Sequence, residues 1–210
     1  MTLLGAAFAL AGLLIGLAAD RLAARWPAHH DGGVRRPDWR TIALAAGAAL
    51  AFGALPSRWS GSLDLAVLGA YFAVLTVLAA TDLDQKLLPD VLTIPLAVAT
   101  LALVVVGLDP LLLAKEQPLL SALLAGVGAP VLLFVLDRVA HGALGAGDLK
   151  LAAGLGFMSG VTRLFGGFLA ASLGAAVVIL VLMAARRVGL RTPIPFGPIL
   201  IAGGIIAALS

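Results

Sequence analysis

Long apolar runs separated by short polar stretches dominate this chain of 210 residues. A membrane-spanning helix needs about 20 predominantly apolar residues, and eight runs are candidates for such helices. They are Leu3–Ala19, Thr41–Leu55, Leu63–Thr81, Val91–Leu108, Leu119–Val139, Leu149–Ser159, Leu164–Ala185 and Ile194–Leu209. The pattern predicts an all-α fold: a polytopic membrane helical bundle of about eight transmembrane segments, in one domain covering residues 1–210.

The composition supports insertion into a lipid bilayer. Hydrophobic residues make up 61% of the chain and charged residues only 12%, about half the charged share of a soluble domain. So few charges cannot cover a water-exposed surface. The mean hydropathy of +1.10 is an average over the whole length, which excludes a soluble enzyme with a single membrane anchor.

The basic residues predict the orientation of the bundle. No Lys or Arg precedes the first run, and Arg21 and Arg25 follow it, so it is read as a retained helix with its N-terminus outside rather than a signal peptide. Alternating sides then gives 11 basic residues in cytoplasmic loops and three outside, which agrees with the positive-inside rule. The cytoplasmic set is Arg21, Arg25, Arg35, Arg36, Arg40, Lys86, Arg138, Lys150, Arg186, Arg187 and Arg191; the outer set is Arg58, Lys115 and Arg163.

One run is too short to cross a bilayer as a straight helix. At about 1.5 Å per residue, Leu149–Ser159 spans only about half of the hydrocarbon core. Omitting it would place Arg186, Arg187 and Arg191 outside, so the distribution of charge favours eight passes over seven. The net charge of +3 is therefore interpreted as a topology signal, and no nucleic-acid partner is expected.

The chain has little from which to build a metal or redox site. It has no cysteine and three histidines, which excludes disulfides, a thiolate nucleophile and cysteine-ligated zinc. His29 and His30 are adjacent without other ligands, and this makes a poor zinc site. We therefore expect no metal and no cofactor.

Two aspartates stand out from the others. Asp20, Asp31, Asp38, Asp64 and Asp109 are interpreted as solvated loop or helix-end residues. By contrast, Asp82 directly continues an apolar run and Asp148 directly begins one. Two passes lie between them, so both carboxylates face the same side of the membrane, near its boundary, where an unpaired charge is costly and commonly functional.

Helix capping is the alternative explanation for two of these residues. Asp148, after Gly147 and before an apolar run, is a good N-cap, and Asp90 after Pro89 has the same arrangement. Capping does not explain Asp82, which lies at a helix C-terminus, where the macrodipole disfavours negative charge. The sequence thus suggests a pair in which Asp148 polarises a water and Asp82 donates a proton, with one proton shared between them.

Two glycines precede the second aspartate, in the stretch Gly145-Ala146-Gly147-Asp148. We predict that Gly145 and Gly147 permit backbone angles closed to other residues and let an extended peptide approach.

Taken together, these motifs resemble the aspartic prepilin peptidases, the type 4 prepilin leader peptidases. The resemblance rests on Asp82 followed by Pro89-Asp90, on Gly145-Ala146-Gly147-Asp148 followed by Leu149-Lys150-Leu151, and on Pro195-Phe196-Gly197-Pro198. It implies an endopeptidase of the bacterial inner membrane that cleaves type IV prepilins or type II secretion pseudopilins at the cytoplasmic face. It also implies that Asp82 and Asp148 are catalytic, with Asp84, Asp90 and Lys150 as supporting residues whose role is solvation or capping rather than chemistry.

The chain departs from the family at one place. Bifunctional members carry a longer cytoplasmic region with paired zinc-binding cysteines and also N-methylate the new terminus. Here the corresponding loop, Asp20–Arg40, has no cysteine. We predict a peptidase without zinc, and this loop counts against methyl transfer.

Two other functions remain open from the residues alone. Paired carboxylates in a membrane also serve proton-coupled transporters, although neither aspartate lies in the middle of a run. A presenilin-like protease shares the Gly-x-Gly-Asp motif, but its partner motif would be Tyr-Asp, and Phe72 follows the only tyrosine, Tyr71.

Overall fold

The computed structural model describes residues 2–28, 34–112, 117–139, 145–186 and 196–210, and within these ranges the chain forms seven α-helices and no strand. The helices are α1 (Leu3–Ala23), α2 (Trp39–Arg58), α3 (Ser62–Gln85), α4 (Asp90–Val106), α5 (Pro118–Val139), α6 (Ala146–Ala184) and α7 (Gly197–Leu209). Five of them, α1, α2, α3, α5 and α6, are long and apolar enough to cross a membrane. The predicted all-helical architecture is confirmed for the described residues, while the helices do not match the eight runs one to one.

The sixth and seventh runs form a single helix, α6, with a break in it. Gly160 has φ 63° and ψ 179°, which is not helical and is open mainly to glycine. Before the break, Leu155 lies against Gly204 of α7; after it, Phe168 lies against the neighbouring Gly203. In a straight helix, Leu155 and Phe168 would be about 20 Å apart. The chain therefore folds back at Gly160, and both arms of α6 pack beside α7.

Small residues bring α1 and α2 close together. A Cβ atom at Gly16 of α1 would lie 2.6 Å from the carbonyl oxygen of Leu44 in α2, and Gly12 approaches Ala48 in the same way. Such close backbone packing is typical of membrane helices, which gain little from burying apolar side chains away from lipid. The two helices thus form a tight pair that supports the loop between them.

Helix α3 contacts four other helices, α1, α2, α4 and α7. Phe72, Leu75 and Leu78 are fully buried along it. Its C-cap, Lys86, adopts the left-handed conformation with φ 53°, and α4 begins four residues later at Asp90, after its N-cap Pro89. This sharp turn places the ends of α3 and α4 next to each other.

Two aspartates that the sequence suggested were solvated are buried. Asp20, in the last turn of α1, is 0% exposed and accepts hydrogen bonds from Arg21 and Arg35. Asp109, in the loop after α4, is also buried, and its Oδ1 accepts a hydrogen bond of 2.8 Å from the N–H of Leu111. Burial raises the pKa of Asp109 to about 7. The prediction of solvation was wrong for both: Asp20 is buried with Arg35 and Thr41 from other segments, and Asp109 is buried with a backbone partner in its own loop. Asp31 lies outside the described residues.

Candidate active site

The last turn of α3 carries Asp82, whose side chain is nearly inaccessible at 5% exposure. Its Oδ2 atom has no hydrogen-bond partner among the described residues. A Cβ atom at Gly197, the first residue of α7, would lie only 2.5 Å from that oxygen. Glycine is therefore required at the start of α7 to make room for the Asp82 carboxylate.

The first turn of α6 carries Asp148, which is 9% exposed. Its Oδ2 accepts a hydrogen bond of 2.9 Å from the backbone N–H of Gly145, the N-cap residue of the helix. A carboxylate in the third helical position that bonds to the backbone N–H of the N-cap residue is a known capping arrangement. Asp148 thus does cap its helix, but from inside the first turn rather than as the N-cap residue itself.

The fold brings these two aspartates together. The carboxylates of Asp82 and Asp148 lie close enough to interact electrostatically, and the charge of Lys86 also acts on Asp82. Each carboxylate is held at a helix end and largely shielded from solvent. Two carboxyl groups that interact in this way titrate as a pair, and such a pair can divide the roles of acid and base.

The two glycines of the motif behave differently from each other. Gly145 has φ −84° and ψ 152°, an extended conformation that any residue adopts, so the prediction of unusual backbone angles was wrong for this position. At Gly147, a Cβ atom would lie 2.8 Å from the Cβ of Leu88. Gly147 therefore lets the start of α6 pack directly against the turn that follows Asp82. The predicted approach of an extended peptide stays a prediction.

Asp90 and Lys150 form an ion pair between α4 and α6. The Lys150 Nζ lies 2.6 Å and 2.7 Å from the two carboxylate oxygens of Asp90. Asp90 is the first residue of α4, after the N-cap Pro89, so the interpretation of Asp90 as an N-cap was wrong. The pair is largely exposed and links the two helix ends beside the aspartates.

Asp84 is neither solvated nor a cap, contrary to the expectation from sequence. Its side chain is 2% exposed and pairs with two arginines, with Arg35 Nε at 2.5 Å and Arg40 Nη1 at 3.0 Å. From the sequence, these arginines were expected only to mark the cytoplasmic side of the membrane. No local motif identifies the pairing, since it joins residues from three separate segments.

The described residues contain no group of three or more His, Cys, Asp or Glu side chains that could hold a metal ion. The three histidines, His29, His30 and His141, lie outside those residues, as does Pro195 of the last motif. The site that the structure does describe is therefore a carboxylate pair with neighbouring charged groups.

Comparison with known proteins identifies relatives of the chain. The model of the type IV leader peptidase family matches residues 69–180, a range that contains both aspartates. The chain is 31% identical over 164 residues to the prepilin leader peptidase/N-methyltransferase of Bacillus subtilis, covering 75% of this chain and 61% of that protein. It is 38% identical over 163 residues to the protein of the same name from Burkholderia pseudomallei, covering 78% and 52%.

The similarity extends to a third organism. Over 144 residues the chain is 36% identical to the prepilin leader peptidase/N-methyltransferase of Dickeya chrysanthemi, covering 67% of this chain and 50% of the relative. Across these three proteins the chain spans half to about three-fifths of the relative's length. No solved structure matches it.

Proposed function

We propose that this chain, which belongs to the type IV leader peptidase family, is a membrane-embedded aspartic endopeptidase that removes the leader peptide of type IV prepilins or pseudopilins. The observation that carries the proposal is the electrostatic interaction between two shielded carboxylates, Asp82 and Asp148, each of which lies at a helix end. Both residues lie in the region that the family model matches.

In the proposed reaction, water is the nucleophile and the two carboxylates exchange protons. Asp148, at a helix N-terminus that favours negative charge, accepts a proton from the water as its oxygen bonds to the scissile carbonyl carbon. Asp82 donates its proton to the carbonyl oxygen. The intermediate then collapses: the C–N bond breaks, Asp148 gives its proton to the leaving amine, and Asp82 recovers one from a hydroxyl of the intermediate.

The proposal includes a topology of eight passes, with the N-terminus outside and the site at the cytoplasmic face of the bacterial inner membrane. Support comes from the fold-back of α6 at Gly160, which produces two arms from one helix. The distribution of basic residues supports the same orientation. Labelling of introduced cysteines from either side of the membrane would test it, because the chain has none of its own.

We also propose that peptide cleavage requires no metal or other cofactor, and that residues 1–210 form a single peptidase domain. The names of the relatives include N-methyltransferase activity, and the loop 20–40 has no cysteine in this chain. Mass spectrometry of the processed substrate tests this point: an added methyl group that depends on this enzyme would contradict a peptidase-only activity.

The experiment that tests the proposed function uses purified protein, a prepilin and detergent micelles. We expect loss of the leader at the start of the apolar helix, identified by the mass of both products. Asp82→Asn should abolish the cleavage, whereas Asp64→Asn, at the opposite end of α3, should leave it intact. Membership of this family argues against a proton-coupled transporter and against a presenilin-like protease, and an uncleaved prepilin would reopen both.

A further inference from the structure

The end of α3 is held by the loop between α1 and α2. Shortly after Asp82, two side chains of α3 bond to that loop and to the first turn of α2. Gln85 donates a hydrogen bond of 2.8 Å to the carbonyl oxygen of Pro27, and Asp84 pairs with Arg35 and Arg40 at 2.5 Å and 3.0 Å. We call these three partners the α3 clamp: Pro27 and Arg35 of the loop, and Arg40 in the first turn of α2.

The clamp is fixed to the α1–α2 pair rather than to α3 alone. Arg35 also bonds to Asp20, which is fully buried in the last turn of α1 and accepts a hydrogen bond of 2.8 Å from Thr41 Oγ1 at the start of α2. Burial disfavours the charge on Arg35, but its hydrogen bond to Asp20 raises its pKa above the ordinary arginine value. The guanidinium therefore stays charged at every working pH and holds both carboxylates.

Two other interactions near the end of α3 do not attach it to the α1–α2 pair. Lys86 closes the helix with a backbone hydrogen bond of 2.8 Å to the carbonyl oxygen of Asp82, and its own side chain is exposed. On the far side of the site, the Asp90–Lys150 pair ties α4 to α6 and does not touch α3. The clamp thus supplies the charged contacts that connect the end of α3 to the α1–α2 pair.

We propose that the α3 clamp is a positioning device: Arg35 and Arg40, acting through Asp84, set the place of the Asp82 carboxylate relative to Asp148. This inference rests on the proposed function, because it assigns a role within the same reaction. Two carboxylates that pass protons through one water must be held closely, and a displacement of about 1 Å can cost about 100-fold in rate. None of the clamp residues touches the reacting atoms.

The kinetic test removes the ion pairs of the clamp by substitutions on α3 and on α2. Asp84→Ala releases both arginines, and Arg40→Gln, at a half-exposed position, removes one contact with little risk to folding. We expect kcat for prepilin cleavage to fall at least about tenfold in both, with a much smaller change in KM, because only the reacting geometry is disturbed. Arg40→Lys keeps the charge and should recover most of the lost kcat.

The matched control is Asp38→Asn. Asp38 also pairs with Arg35, at 2.8 Å, and caps α2 through the N–H of Arg40, but neither contact reaches α3. Asparagine is an equally good N-cap, so this variant should keep kcat within about twofold of the wild-type value if the support of α3 is what matters. If kcat fell as far in Asp38→Asn as in Asp84→Ala, the result would contradict a specific role for the contacts to α3.

Two readouts separate positioning from general stabilisation. A displaced Asp82 changes its coupling to Asp148, so the pH profile of kcat should change shape in Asp84→Ala. A merely structural role would lower the melting temperature and scale activity down with the same profile. Wild-type kcat and an unchanged profile in both Asp84→Ala and Arg40→Gln would overturn the proposal.

A measurement without substrate completes the test. Because the chain has no cysteine, spin labels can be placed uniquely at Leu87 and Ala146, two exposed positions on either side of the site. We expect the distribution of distances between them to broaden or shift in Asp84→Ala and Arg40→Gln but not in Asp38→Asn. An unchanged distribution would overturn the clamp even if prepilin proved not to be the substrate, whereas uncleaved prepilin with a changed distribution would refute only the proposed function.

Discussion

Gly197→Ala perturbs the site at a single point. The new Cβ would lie 2.5 Å from Asp82 Oδ2 and 2.8 Å from its Cγ, whereas ordinary contacts begin at 3.4 Å. Gly197 is itself buried, so the carboxylate or the start of α7 must move by about 1 Å. Since such a displacement can cost about 100-fold in rate, we expect kcat to fall by about that factor, which corresponds to about 2.7 kcal/mol in the barrier.

The assay is steady-state cleavage of a prepilin in detergent, with the melting temperature measured in parallel. Gly47→Ala and Gly69→Ala are matched controls, because a Cβ at either position meets nothing within 4 Å. Both controls should cleave at the wild-type rate. A folded Gly197→Ala enzyme with kcat within about twofold of wild type would refute the close contact between α7 and Asp82, since the predicted change is far larger.

Three further predictions concern other residues. Gly147→Ala would place a Cβ 2.8 Å from the Cβ of Leu88, so kcat for prepilin should fall at least about tenfold; wild-type turnover would contradict this packing. The pKa of Asp109 is raised to about 7 by burial, so the folded state binds its proton more tightly than the unfolded state, and stability should fall as the pH rises from about 4 to about 7. Melting temperatures across that range should fall less for Asp109→Asn than for wild type, and parallel curves would rule the explanation out. Lys150→Met removes a largely exposed ion pair with Asp90. It should lower the free energy of unfolding by less than about 1 kcal/mol, and a large drop in the melting temperature would contradict this small contribution.

The apolar runs predicted the helices well, because in a membrane the length and composition of a segment determine whether it spans. The second run, Thr41–Leu55, corresponds to α2, which begins at Trp39 after its N-cap Asp38. The site was also predictable in outline. Because an even number of passes, two, lies between Asp82 and Asp148, both were predicted to face the same side of the membrane. Local sequence was sufficient for these features because each depends on a single segment or on the count of segments between two residues.

Features that depend on packing between distant segments could not be predicted. The burial of Asp20 and Asp84 follows from ion pairs with Arg35 and Arg40, and such pairs have no signature in one sequence. The need for Gly197 next to Asp82 arises only when α7 docks against α3. A reversal between the sixth and seventh runs was predicted, and the structure has the break at Gly160. The sequence could not single out Gly160 as the residue with non-helical angles, because many glycines in this chain lie inside helices without breaking them.

The catalytic pair is tested by a double-mutant comparison in one assay. Prepilin cleavage would be measured for Asp82→Asn, Asp148→Asn and the double variant, each at the pH of maximal wild-type activity. If the two carboxylates act as one unit, each single substitution should cost about as much as both together. Losses that multiply in the double variant, or a single variant that keeps substantial activity, would contradict a mechanism in which Asp82 and Asp148 exchange protons through one water.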